Sequence, residues 1–189
     1  MNEAIDVILH RRSVRAYKPE AIPEETLKII LQAGCAAPHG GPAGPWKFLV
    51  IRNDQLKRQL LDAEKRGIDR VQGGPPKDGY WNSFFAHAPV VIAVAFKPTS
   101  VGGFDEESEI RIGLSSAACA MENMLLAAAA MGLGACLAGP MPEAKDDFEA
   151  ILGIEPPWEF IALIPIGKPA QPARREKVKP VGESVEFLD

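Results

Sequence analysis

The chain has 189 residues, carries a formal net charge of −4 and is 47% hydrophobic and 24% charged. That length suits one domain burying about 70% of its unfolded surface, and the composition excludes a collagen-like, disordered or largely membrane-embedded chain. The acidic balance offers no general attraction to nucleic acid or to an anionic membrane, although a local basic cluster can still grip a small anion.

Ile5, Ile8, Leu9 and Arg12 fall at helical spacing and open the chain with a short amphipathic helix. Pro19 turns Lys18 away from helical geometry. A second helix begins near Pro23, with Glu24 and Glu25 at its positive end, Leu27, Ile30 and Leu31 inward, and Gly34 as a stop signal. Three prolines and three glycines in the nine positions 37–45 allow only a loop. Residues 48–51 read as an apolar strand and 54–65 as a helix capped by Asn53 or Asp54. The polar, Gly/Pro-rich stretch 67–82 reads as a surface loop or lid. Residues 90–96 are seven apolar residues in a row, which fits a central strand buried on both faces.

A long helix follows over about 106–131. From Leu114 onward it is apolar on all sides except for Ser115, Ser116, Glu122 and Asn123, which share one narrow stripe. Its alanine content, Glu122 and the lack of flanking basic bias argue against a membrane span, so it is expected in an oligomer interface. Residues 135–138 form a short strand, 143–152 a helix and 160–166 the last strong strand. The tail beyond 170 is polar and basic until Val185-Glu186-Phe187-Leu188, whose apolar residues suggest that it docks onto something. No repeat or linker divides the chain. The element order predicts one α+β domain, a mixed central sheet with helices on both faces.

Three scattered cysteines, Cys35, Cys119 and Cys136, make no C-x-x-C pair, and the three histidines make no H-x-x-x-H pair, so neither a disulfide framework nor a metal site is expected. The cysteines read as buried free thiols. The first residues lack the basic start and apolar run of a signal peptide, and a cytoplasmic location is expected.

Four features can carry chemistry. Arg11-Arg12-Ser13-Val14-Arg15 puts three guanidiniums and a hydroxyl within five residues, a set that can surround a phosphate or simply form a solvated basic helix end. The 38–45 loop, ending at Trp46, has glycines that let backbone amides approach a planar ligand. Ala138-Gly139 lies at a strand end, where ligands of α/β sheets collect. Arg174-Arg175 with Lys177 and Lys179 forms a second cationic cluster that can fold back onto the same anion or serve as a solubilising tail. No P-loop, Rossmann fingerprint or nucleophile elbow occurs, and Glu122 reads as a capping or dimer-contact residue rather than a proton donor. Phosphate grips without a nucleophile imply that a cofactor carries the chemistry.

In order, Arg11-Arg12-Ser13-Val14-Arg15, Ala37-Pro38…Pro45-Trp46-Lys47-Phe48, Glu122-Asn123-Met124-Leu125-Leu126 running into Gly132-Leu133-Gly134, and Pro165-Ile166-Gly167-Lys168-Pro169 before Arg174-Arg175 resemble the landmarks of the FMN-dependent nitroreductase family. The resemblance covers nearly the whole chain. It implies a homodimer with two FMN sites at the subunit interface and the long helix at the dimer core. It assigns Arg11, Arg12, Ser13 and Arg15, with Arg174 or Arg175, to the FMN phosphate, ribityl chain and part of the ring. Ala138 and Gly139 would lie along the flavin. The 38–45 loop would reach the flavin of the partner chain, and the tail from about 170 to 189 would cross to the partner, ending as an added strand. Asn82 falls near a position that touches flavin or substrate.

The chain departs from the family where Pro-Ser-x-x-Asn-x-Gln-Pro-Trp is usual. It reads Pro38-His39-Gly40-Gly41-Pro42-Ala43-Gly44-Pro45-Trp46, so His39, Gly40 and Gly41 are the candidates for the flavin edge, or His39 for a proton to substrate. The implied reaction is ping-pong, with NADH or NADPH as reductant and a small electron-poor acceptor, such as a nitroaromatic or quinone, as oxidant. Dehalogenation, dehydrogenation and flavin destruction on the same fold stay open, as does a non-catalytic flavin- or anion-binding dimer.

Overall fold

A computed structural model describes residues 2–71, 82–99, 102–139, 142–172 and 181–188. Among these described residues are five helices, α1 (Glu3–His10), α2 (Glu24–Cys35), α3 (Asp54–Arg70), α4 (Glu106–Ala130) and α5 (Lys145–Leu152), and four strands. The strands are β1 (Trp46–Ile51), β2 (Val90–Phe96), β3 (Gly134–Ala135) and β4 (Glu159–Gly167). Helix starts follow local chemistry: the side chains of Asn2, Asn53 and Asp105 accept the otherwise orphaned N–H groups of Ala4, Leu56 and Ser108 at 2.9, 3.0 and 2.8 Å.

The strands lie in the order β1-β2-β4-β3, and every ladder is antiparallel. Among the described residues the mixed character expected of the sheet is confined to one parallel bridge, Ser13 with Ala135. β2 is buried along its whole length, as a central strand should be. Its side chains alternate with the period of the pleat. Val91, Ala93 and Ala95 join a core with Leu60, Phe85 and Phe148 under α3 and α5, while Val90, Ile92 and Val94 join another with Leu27, Met121 and Met124 under α2 and α4. Helices therefore cover both faces. A bulge opposite Val94 and Ala95 lets Phe160 face the α3 side while Ala162 faces the α4 side.

Two helices run past their expected ends, α2 by one residue beyond Gly34 and α3 from 65 to Arg70, and both pass glycines that serve as contacts. α2 runs through Gly34 because that glycine lets Met124 of α4 and Phe48 approach; an added Cβ would lie 2.9 Å from Met124 Cγ and 3.2 Å from Phe48. α3 runs past Gly67 to Arg70 because Gly67 abuts Ala144, whose Cβ would be 2.7 Å away, and Arg66 and Arg70 both reach Asp147 of α5. β1 begins two residues earlier than the apolar run because Trp46 pairs with Phe96. β3 is only two residues long; Ala138 bridges separately to Leu163.

α4 is long and apolar enough to cross a membrane, yet 44% of its apolar window is buried within this chain. Its inward face packs on α2 and the sheet; its outward face is left bare. For that reason Cys119 is exposed, and so is Cys35 at the end of α2, contrary to the expectation of three buried thiols; only Cys136 is buried. The apolar face of α1 is also bare, with Ile5, Ile8 and Leu9 about half exposed at 47, 51 and 54%.

Candidate functional site

The arginine-rich segment leaves α1 as an extended strand-like stretch and is woven to two distant parts of the chain. Ser13 bridges Ala135, and the Val14 N–H donates to Ala135 O at 3.0 Å. Gly134 makes this approach possible, since a Cβ there would lie 2.6 Å from three side-chain atoms of Val14. Further on, Tyr17 bridges Pro169, the Lys18 N–H donates to Lys168 O at 2.8 Å, and the Ala170 N–H donates to Ala16 O at 2.9 Å. Three of the four sequence landmarks therefore meet at one end of the sheet.

Tyr17, which the sequence reading passed over, is the pin of this arrangement. It is buried, and its hydroxyl donates to Val14 O and also faces Pro165 O at 3.3 Å. Burial, followed by the neighbouring Cys136, pushes its pKa well above the usual phenol range against the opposing pull of Arg15.

The guanidiniums of the segment take different partners. Arg11 donates from Nε to Glu122 Oε1 of α4 at 3.1 Å. Arg12 Nη1 donates to the carbonyls of Leu9 and Arg11 at 2.9 and 2.7 Å, so it caps the end of α1 and relieves carbonyls that have no helical partner. Arg15 lies over the Phe84 ring, 5.8 Å from its centroid. A cleft of about 340 Å³ opens between α1 and the end of α4, lined by His10, Arg11, Arg12, Val14, Gly132 and Leu133 among others. Ala138 is buried by its bridge to Leu163, whereas Gly139 beyond it is exposed, and among the described residues no atom outside its own chain neighbours lies within 4 Å of where a Cβ would stand. A planar ligand can lie along that backbone.

The 38–45 loop is held elsewhere. The Gly40 N–H donates to Ser116 Oγ of α4 at 3.3 Å, and Gly40 fits closely against Ile112. His39 is exposed and meets Trp46 edge-on, with ring centroids 5.4 Å apart, and Trp46 stacks on Phe48. The polar stripe of α4 thus divides its work: Ser116 steadies the loop, Glu122 meets Arg11, and Asn123 Nδ2 donates to Ala33 O at 3.0 Å. The stripe was legible in the sequence; its three partners were not. The backbone of Asn82 opens a 3₁₀ turn ending at His87, and its side chain, like Arg174, Arg175, Lys177 and Lys179, lies outside the described residues. Among the described residues no three His, Cys, Asp or Glu side chains gather as a metal site.

Of the residues expected to hold a cofactor, Arg11 and Arg12 line the cleft, together with Asp6, and its volume suits a ligand. The family model described as Nitroreductase family matches residues 8–168. A Methanothermobacter thermautotrophicus protein provisionally named NADH dehydrogenase/NAD(P)H nitroreductase is 26% identical over 94% of this chain and 84% of its own length. An iodotyrosine deiodinase of Hydra vulgaris is 27% identical over 92% of this chain and 68% of its own. A 5,6-dimethylbenzimidazole synthase of Rhodobacter capsulatus is 27% identical over 87% and 82%. Among solved structures, a BluB-like flavoprotein from Clostridium difficile superposes with a TM-score of 0.83 at 25% identity, covering 98% of each chain. A nitroreductase with bound FMN from Bacteroides fragilis gives 0.78 at 24% identity, covering both chains completely.

Proposed function

The chain belongs to the nitroreductase family, and on that premise we propose that it is an FMN-dependent oxidoreductase passing electrons from NADH or NADPH to a small electron-poor acceptor such as a nitroaromatic or quinone. The observation that carries this reading is the weaving of the arginine segment against Ala135 and the 165–170 segment, which sets the cationic cleft at one end of the sheet. FMN, when bound, supplies the electron-carrying chemistry; the side chains bind it, orient it and tune it. Arg11, Ser13 and the cluster at Arg174 and Arg175 hold the phosphate and ribityl chain. Arg12 contributes charge from the end of α1, and Ala138 and Gly139 line the ring. Asn82 and the loop before it shape the acceptor site.

The protein works as a homodimer. Supporting this are the bare apolar face of α1, the bare outward face of α4, and an apolar groove of about 420 Å³ between α1, α2 and α4 lined by Val7, Ile8, Ala33, Leu126, Ala127 and Ala130 among others. The loop carrying His39, Gly40 and Gly41 is anchored on the first half of α4, whereas the arginine cleft lies at its far end, so the loop serves the partner's flavin. Val185, Phe187 and Leu188 are exposed at 47, 84 and 89%, which fits a tail that docks on the other subunit.

Visible absorption of the purified protein, before and after FMN addition and gel filtration, tests the reading. About one flavin per chain, bleached without oxygen by NADH or NADPH and restored by a quinone, is expected; a protein that retains no flavin overturns it. Arg15→Ala should lower both flavin affinity and reduction potential, because a guanidinium near the ring stabilises the charge of the reduced cofactor. Equal potentials in the two proteins would remove Arg15 from that role. The 27% likeness to the deiodinase and the altered 38–45 loop favour one second reading, reductive dehalogenation. Turnover of a halophenol together with failure on quinones and nitroaromatics selects it.

A further inference from the structure

Arg11 is the last residue to leave α1, and its side chain crosses to α4 to meet Glu122 through Nε alone. A guanidinium has five N–H donors, and the one used here points away from the terminal fork that grips phosphate oxygens two at a time. Among the described residues no other hydrogen bond to the Arg11 side chain is formed, so the fork stays available. Arg12 contrasts with it, because one terminal nitrogen is already committed to the helix-end carbonyls. The Arg11 and Glu122 side chains are 28 and 48% exposed, too wet for the ion pair to add much stability by itself. Its value is geometric, since a free arginine loses considerable rotamer freedom when it binds, and a partner on Nε removes part of that loss beforehand.

We propose that Glu122 is a positioning residue that orients Arg11 toward a phosphate monoester and thereby sets the preference of the site for FMN over riboflavin, which lacks that phosphate. The inference rests on the flavin-site reading above. Glu122 does this through its oxygen as an acceptor, and its negative charge works against a dianionic ligand. Glutamine keeps the acceptor and removes the charge; alanine removes both. A second consequence follows from placement. Glu122 stands on the outward face of α4, with Cys119 one turn before it, so the same helix face that meets a second copy also aims the phosphate grip.

The test is titration of flavin-free protein with FMN and, separately, with riboflavin, following quenching of flavin fluorescence, for the parent, Glu122→Ala, Glu122→Gln and Arg11→Ala. Each protein's riboflavin affinity is the internal control, because damage to folding, dimerisation or the ring pocket weakens both ligands together. Glu122→Ala is expected to weaken FMN about five- to tenfold while leaving riboflavin within about twofold, the scale of one ordinary hydrogen bond, because Glu122 acts only through Arg11. Glu122→Gln is expected to bind FMN at least as tightly as the parent. Arg11→Ala should reduce the FMN preference further than Glu122→Ala does. If Arg11→Ala erases the preference and Glu122→Ala leaves it intact, Glu122 positions nothing and the inference falls while the phosphate grip stands. If Glu122→Ala tightens FMN, Glu122 is a competing anion and the inference is overturned. If Arg11→Ala leaves the preference unchanged, the phosphate-grip reading itself fails.

Discussion

Replacing Gly134 by alanine tests how the arginine segment is held. The new Cβ would stand 2.6 Å from Val14 Cβ, Cγ1 and Cγ2, where ordinary carbon contacts are about 3.5–4.0 Å, so the two strands must part by roughly 1 Å. Val14 cannot swing aside: it is 6% exposed, β-branched, bonded at its N–H to Ala135 O at 3.0 Å, and bonded at its carbonyl to the Tyr17 hydroxyl. Overpacking of this kind costs about 1–3 kcal/mol, and the rigid neighbour and strained hydrogen bond place it toward the upper end, at about 2–3 kcal/mol. Urea unfolding of the flavin-free protein measures this without ligand linkage, and a fixed chain concentration holds any dimer linkage constant. In a cycle with Val14→Gly, which removes all three clashing atoms, the coupling should exceed about 1 kcal/mol in favour of the double variant. Flavin affinity should fall in Gly134→Ala as well, because Ser13 is displaced with Val14. Stability within about 0.5 kcal/mol of the parent, or strict additivity in the cycle, would refute the reasoning.

Two further substitutions, at Tyr17 and at Ile8, test neighbouring parts of the fold. Tyr17→Phe removes a buried donor from the Val14 and Pro165 carbonyls and should cost about 1–2 kcal/mol. Because burial raises the folded pKa of Tyr17, the native state keeps a proton that the unfolded chain releases above about pH 10. The contribution is complete below that value and lost as pH rises, so the parent's urea midpoint should fall more steeply than that of Tyr17→Phe in alkali; parallel slopes would exclude it. Ile8→Glu puts a charge on the bare face of α1 at a position 51% exposed, where folding should tolerate it. Sedimentation should show a shift to monomer with loss of retained flavin, and a flavin-loaded dimer would move the interface elsewhere.

Periodicity was informative wherever a residue's surroundings are set by its own element. The unbroken run at 90–96 could only be a strand covered on both sides, and β2 is one. The long helix and its polar stripe were likewise plain. Periodicity misled at glycines, because a helix stop and a close approach look alike in one dimension. Gly34 and Gly67 both serve approach, with Met124 Cγ 2.9 Å and Ala144 Cβ 2.7 Å from an added Cβ. The same limit applies to the site. Residue types announced a phosphate grip, but nothing local shows that Arg11 reaches across 111 positions to Glu122 while Arg12 turns back on its own helix. The apolar spacing of α1 also could not say that its face looks outward, since the spacing is the same whether the covering surface is this chain or another.

The stacking of Trp46 on Phe48, with His39 against its edge, gives the loop an optical identity. An indole emits where flavins absorb. Trp46 is therefore a native fluorophore inside the segment that carries His39, Gly40 and Gly41. Its emission responds to a nearby flavin by energy transfer. The difference spectrum between the parent and Trp46→Phe isolates that signal from the other indoles, so loop and cofactor can be followed in real time without a label.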